Sequence, residues 1–237
     1  MMDSGLIRLQ VLYFDGCPHA RAALELATAV AEEGGPRIQV EAVVVDTPER
    51  AAAERFLGSP SLRVNGRDVE GRRDPGGTLC CRTYEGGAGV PPKWLVETAV
   101  LKALEPQGVL FLCVANSARS QLAEGIARQL APSSVTVWSA GSAPTRVRPE
   151  AITVLAEIDI DSSGNRSKHV DEIPAAEVDT VITLCAEEEC PLFLGQAIRL
   201  HWGLPDPAAV TGSAEERLEA FRQVRDELRR RLTELFG

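Results

Sequence analysis

Cys113 and Arg119 are separated by five residues in the run Cys113-Val114-Ala115-Asn116-Ser117-Ala118-Arg119-Ser120. An apolar run, 109–114 (VLFLCV), enters this stretch, and a helix-like stretch from about Ser120 to Leu130 leaves it. A short loop that feeds a helix aims backbone N–H groups inward, and the helix dipole adds partial positive charge there. That field favours the thiolate, the nucleophilic form of a cysteine. Arg119 offers a planar fork of donors suited to two oxygens of a tetrahedral oxyanion. Ser120 can donate to the thiolate. Ala115, Asn116, Ser117, Ala118, Arg119 and Ser120 are therefore expected to hold an oxyanion, with Cys113 attacking its central atom. The competing reading is a buried structural cysteine beside a capping arginine. The joint occurrence of strand, spacing, Arg-Ser pair and helix argues against it.

C-x5-R-S in this setting resembles the low-molecular-weight tyrosine phosphatases and the thioredoxin-coupled arsenate reductases of the same fold. The longer string from Cys113 to Gly125 is similar to the arsenate reductase version. So are Trp138-Ser139-Ala140-Gly141-Ser142 and His201-Trp202-Gly203-Leu204-Pro205-Asp206-Pro207. The resemblance spans about residues 107 to 235. It departs at Ala118, where some relatives carry a further cysteine.

Phosphate and arsenate have nearly the same shape, so the loop alone does not separate the two reactions. The discriminating stretch is Cys185-Ala-Glu-Glu-Glu-Cys190-Pro191, after VDTVITL. Reduction of arsenic(V) takes two electrons from thiols, and a phosphatase needs none. The resemblance implies that Cys185 attacks Cys113 to release arsenite and that Cys190 then takes over the disulfide. The alternatives are a zinc site or inert core thiols; no second Cys or His pair stands nearby at metal spacing. The resemblance also implies that Asp206 protonates the leaving oxygen; the alternative is a residue that shapes a turn. Asn116 is expected to hold the loop shape, and His169 and His201 to be packing residues. Some relatives bind potassium with oxygens of the kind Asn116, Glu124 and Ser139 offer. The remaining ligands have no match in 165–169, so neither a metal site nor a cofactor is predicted.

These residues need a scaffold. In the second half short apolar strands (109–114, 135–138, 179–184) alternate with helices (120–130, 149–158, 214–235), a pattern of an α/β fold with a mostly parallel sheet. The first half reads as strand 6–14, a helix to about Glu33 closed by Gly34-Gly35, strand 37–45 and a short helix from Pro48 through Phe56. A hairpin at Asn65-Gly66, a glycine-rich loop over 71–89 and a helix from Pro91-Pro92 to about Leu104 follow. The order β-α-β-α-β-β-α resembles the thioredoxin fold over about 5–104. Gly16-Cys17-Pro18-His19-Ala20 stands at its redox motif and Ser59-Pro60-Ser61 at its proline loop, so Pro60 joins the candidate residues. Ala20 replaces the second cysteine of a C-x-x-C pair. Three readings stay open: Cys80 or Cys81 serves as partner of Cys17, the three thiols bind a soft metal or arsenite, or the domain docks a partner and its thiols are incidental.

The chain of 237 residues carries a net charge of -9, which argues against a nucleic-acid partner. No apolar run approaches the roughly 20 residues of a membrane span, and no secretion signal is seen. Six cysteines in a cytoplasmic chain point to catalysis, redox work or metal binding before structural disulfides. The expectation is a cytoplasmic arsenate reductase domain (105–237), fused to a thioredoxin-like domain (1–104). Its partners would be arsenate and thioredoxin or another thiol reductant, with no membrane partner. The rivals are a phosphatase and a non-enzymatic thiol or metalloid sensor.

Overall fold

A computed structural model describes residues 6–73, 76–186 and 197–237. The chain forms two compact units, Met1–Glu105 and Pro106–Gly237.

The first unit contains β1 (Ile7–Tyr13), α1 (Ala20–Gly34), β2 (Ile38–Val44), α2 (Pro48–Ala53), β3 (Ser61–Val64), β4 (Arg67–Asp68) and α3 (Lys93–Leu104). Its sheet has the order β2-β1-β3-β4. β1 runs parallel to β2 and antiparallel to β3, and β3 runs antiparallel to β4. β1 sits inside the sheet because its apolar residues can be covered from both sides: Leu9, Val11 and Leu12 are fully buried. In α1, Ala23, Ala27 and Val30 share a helical face at spacings of four and three and are all buried. α2 begins at Thr47, whose hydroxyl accepts from Arg50 N at 3.1 Å. It ends at Ala53, three residues short of the expected Phe56. Phe56 instead packs with Leu12, Val43, Val45 and Ala51, and Arg55 turns the chain at φ 48°. Asn65 (φ 50°) and Gly66 (φ 80°) both occupy the left-handed region, as a two-residue hairpin requires.

The glycine-rich stretch after β4 is anchored at Arg82 and Tyr84, which its composition did not suggest. Arg82 is buried and pairs with Asp68 at 2.5 Å and Glu70 at 3.0 Å. Its guanidinium also lies 4.3 Å from the Tyr84 ring centre. Those carboxylates and the ring hold the Arg82 pKa above its ordinary value despite the cost of burial. The Tyr84 hydroxyl donates to Pro60 O at 3.0 Å and accepts from Leu62 N at 3.2 Å.

The second unit contains β5 (Gly108–Cys113), α4 (Arg119–Leu130), β6 (Thr136–Gly141), α5 (Pro149–Ala156), β7 (Thr180–Thr183), β8 (Ile198–His201) and α6 (Ala214–Phe236). The sheet is parallel throughout, in the order β6-β5-β7-β8, with flanking helices. All six residues of β5 are buried, the pattern of a central parallel strand. α6 starts at a capping box of Ser213 and Glu216 and buries Phe221, Val224, Leu228, Leu232 and Leu235. β8 was not anticipated from sequence. It is an edge strand of four residues in which only Ile198 and Leu200 are buried, too short a run to stand out. Among the described residues no helix is long and apolar enough to cross a membrane.

Candidate active site

The strands of a parallel sheet all end at one edge, and ligand sites of α/β folds lie there. β5 delivers Cys113 to this edge, and the loop 114–118 leads from it into α4. The loop is clasped from β6 and the segment after it: Ala143 N donates to Val114 O at 3.0 Å, and Thr145 N to Ala115 O at 3.1 Å. Gly141 closes β6 directly beneath. A Cβ there would lie 2.3 Å from Val114 O and 2.8 Å from Asn116 N, so a side chain would displace the loop backbone.

Asn116 is the keystone of the loop. It is fully buried, and its backbone takes the left-handed conformation at φ 44°. Its Nδ2 donates to Ser120 Oγ and to Ser139 Oγ, both at 2.8 Å. Its Oδ1 accepts from Lys168 N at 2.8 Å and from Gln121 Nε2 at 3.0 Å. Both donors and both acceptor positions of the amide are thus used. The Cys113 sulfur lies 2.9 Å from Ser120 Oγ. That oxygen also accepts from Asn116, which holds it beside the sulfur, and either the hydroxyl or the thiol can donate in the Cys113–Ser120 contact. Ser139 in turn donates to the buried Glu124 carboxylate at 2.5 Å. Lys168 Nζ meets the same carboxylate at 3.1 Å, so a fixed ammonium stands among the oxygens considered for potassium.

Arg119 is 4% exposed, and its NH1 donates to Leu204 O at 3.1 Å. That bond fixes the plane of the guanidinium. NH2 stands 3.8 Å from Asp206 Oδ1, so the loop and the Asp206-Pro207 turn meet across the arginine. Asp206 is half-buried and also accepts from Ala208 N at 3.2 Å, capping the 3-10 turn Pro207–Ala209. Its turn-shaping role and its place at the site therefore coexist. His201 bonds Thr183 Oγ1 at 2.8 Å, and His169 caps the turn Val170–Glu172.

Cys185 follows β7, the immediate neighbour of β5. Leu112 pairs with Thr183, and Leu184 N donates to Leu112 O at 2.9 Å. Cys185 comes one residue later, at the same sheet edge as Cys113, and both are buried. Cys190 lies outside the described residues. Cys17, Cys80, Cys81 and Pro60 belong to the first unit.

The sequence reading overlooked Gln121, Ser167, Lys168 and the Leu204 carbonyl. Ser167 Oγ donates to Asn116 O at 2.7 Å, and Gln121 accepts from Asn165 Nδ2 at 3.1 Å. One signal was present: Ser120, Gln121 and Glu124 are polar within a short helix, and all three are fully buried. Buried polar groups must be partnered, so such a cluster marks a network.

Fold and loop together place a buried cysteine and a buried arginine at the carboxyl edge of a parallel α/β sheet. Residues 108–237 match the low molecular weight phosphotyrosine protein phosphatase family, and the chain belongs to it. An arsenate reductase of Bacillus subtilis (strain 168) is 39% identical over 133 residues, which are 55% of this chain and 96% of that relative. One from Halalkalibacterium halodurans is 40% identical over 126 residues, covering 52% of this chain and 91% of the relative. A solved structure described as an arsenate reductase in the phosphate binding state is 36% identical. It covers 55% of this chain and 96% of that one, with a TM-score of 0.48.

Proposed function

We propose that the second unit reduces arsenate to arsenite through a thiol relay. The observation that carries this reading is the pair of buried cysteines at one sheet edge, Cys113 after β5 and Cys185 after the adjoining β7. Backbone amides of 114–120 and the Arg119 fork hold arsenate. Cys113 sulfur attacks arsenic, and an arsenic–oxygen bond breaks as Asp206 protonates the departing oxygen. Cys185 sulfur then attacks Cys113 sulfur. The sulfur–arsenic bond breaks, its electron pair stays on arsenic, and arsenite leaves as a Cys113–Cys185 disulfide forms. Cys190 attacks Cys185, frees Cys113 and leaves a Cys185–Cys190 disulfide for an external thiol reductant, thioredoxin or another, to reduce. A relay that must be re-reduced suits the cytoplasm.

Phosphate monoester hydrolysis is a second reading, favoured by the family that residues 108–237 match. It uses the same Cys113, Arg119 and Asp206 but has no use for Cys185. The deciding experiment supplies purified full-length protein with arsenate and thioredoxin plus its reductase, with glutathione, or with no reductant. Steady arsenite release that disappears in Cys185→Ser, while slow aryl phosphate hydrolysis persists, supports reduction. Arsenite release unaffected by Cys185→Ser removes the relay.

We further read residues 1–104, within the first unit, as thioredoxin-like. The sheet order β2-β1-β3-β4, Cys17 just before α1 and Pro60 just before β3 support this reading.

A further inference from the structure

We propose that Cys17 and Cys81 form a second redox pair, in which Cys81, and not its neighbour Cys80, resolves disulfides made by Cys17. Cys17 lies in the turn that opens α1: its N–H donates to Phe14 O at 3.3 Å, and its carbonyl accepts from Ala20 N at 3.3 Å. On the other side of Phe14, the backbone N–H donates to Ser59 Oγ at 3.3 Å. The Ser59 side chain therefore reaches Phe14, the residue at which the turn carrying Cys17 begins.

Ser59 forms a parallel bridge with Cys81. Ser59 N donates to Cys80 O at 2.8 Å, and Arg82 N donates to Ser59 O at 3.0 Å. Paired residues of adjoining extended segments project to the same side, and their chain neighbours to the other. Cys81 thus shares the side of Ser59, whose hydroxyl contacts the residue that opens the Cys17 turn. Cys80 and Arg82 share the opposite side with Gly58. A Cβ on Gly58 would lie 3.2 Å from Cys80 Sγ and 3.0 Å from Arg82 Cβ, which places them there.

The segment is held in this register by the Arg82 ion pairs and the Tyr84 hydroxyl, so Cys81 is presented by a fixed frame. Cys81 is exposed and Cys17 half-buried, so a disulfide substrate can reach both. A soft-metal site of three thiolates is disfavoured. Among the described residues no three His, Cys, Asp or Glu side chains are placed to hold a metal. The alternation of Cys80 and Cys81 likewise disfavours a bond between them.

The chemistry balances with a disulfide of the class R–S–S–R as oxidant. Cys17 thiolate attacks one sulfur, the R–S–S–R bond breaks, and one RS⁻ leaves. Cys81 thiolate then attacks Cys17 sulfur, the second RS⁻ leaves, and a Cys17–Cys81 disulfide remains. Two protein thiols are oxidised, and one disulfide gains two electrons and becomes two thiols. This pair lies wholly within the first unit and does not depend on arsenate chemistry in the second.

The test uses the full chain without arsenate, equilibrated in buffers of varied reduced and oxidised glutathione. Acid quenching, alkylation and mass mapping follow. The expected product is a Cys17–Cys81 cross-link whose ratio to the dithiol scales with oxidised glutathione divided by the square of reduced glutathione. Cys80→Ser should keep the cross-link, and Cys81→Ser should lose it and leave Cys17 as a glutathione mixed disulfide. A wild-type chain that yields Cys17–Cys80, Cys80–Cys81 or a persistent glutathione adduct of Cys17 overturns the proposal.

Discussion

Replacing Asn116 with alanine tests whether one amide organises the oxyanion loop. The substitution removes four side-chain hydrogen bonds, to Ser120, Ser139, Lys168 N and Gln121. At a net value of about 1 kcal/mol each, their loss costs about 4 kcal/mol. The backbone at φ 44° adds about 1 kcal/mol for an alanine held in the left-handed region. For a unit of this size about 3 °C of unfolding temperature accompanies each kcal/mol, so a fall of about 12–15 °C is expected. Scanning calorimetry of the full chain measures it. Asn116→Gly separates the two contributions, because it loses the same bonds while its backbone accepts positive φ. The rate of the first arsenate adduct in a single turnover should fall about 100-fold, the scale of an ångström of misplacement. An Asn116→Ala chain that unfolds within about 2 °C of wild type, with an unaltered adduct rate, would refute the reasoning.

Three further outcomes are expected. Cys113→Ser abolishes arsenite release and Cys190→Ser permits one turnover, with the disulfide stalled between Cys113 and Cys185; sustained turnover by Cys190→Ser in steady-state assays contradicts the relay. Asp206→Asn slows adduct formation by about 10²–10⁴-fold in single-turnover measurements while arsenate still binds, since proton donation acts in the transition state. Glu157, hydrogen-bonded and ion-paired to Arg222 and then Arg225, titrates at about 2 instead of its ordinary 4.5. Its folded value is depressed, so the stability it contributes is complete above pH 4.5 and is lost as pH falls toward 2. The unfolding-temperature gap between wild type and Glu157→Gln should therefore narrow below pH 4.5, and a constant gap would contradict this.

Most elements could be read from sequence because their patterns are local. The buried run Val109–Cys113, Pro48 at the start of α2 and the Asn65-Gly66 turn each depend on neighbours a few residues away. β8 escaped because its two buried residues acquire meaning only once β7 lies beside them. The end of α2 escaped because Phe56 leaves the helix to join Leu12 and Val43.

By itself the sequence pointed to the class of chemistry and grouped its candidate residues, since Cys113, Arg119 and Ser120 lie within eight residues and one strand-to-helix turn aligns them. It also marked Cys185 and Asp206 by resemblance, without saying how either reaches the loop. Tertiary structure decided the rest. Parallel pairing of β5 and β7 sets Cys113 and Cys185 at one edge, although 71 residues separate Leu112 from its partner Thr183. The Leu204 carbonyl aims Arg119, and a network reaching Lys168 holds the Ser120 hydroxyl beside the sulfur. Only the return of 80–82 along Ser59 tells Cys81 from Cys80. The physical reason is that a hydrogen bond or a sheet register acts at about 3–5 Å in space, and a linear sequence does not record which distant residues the fold brings that close.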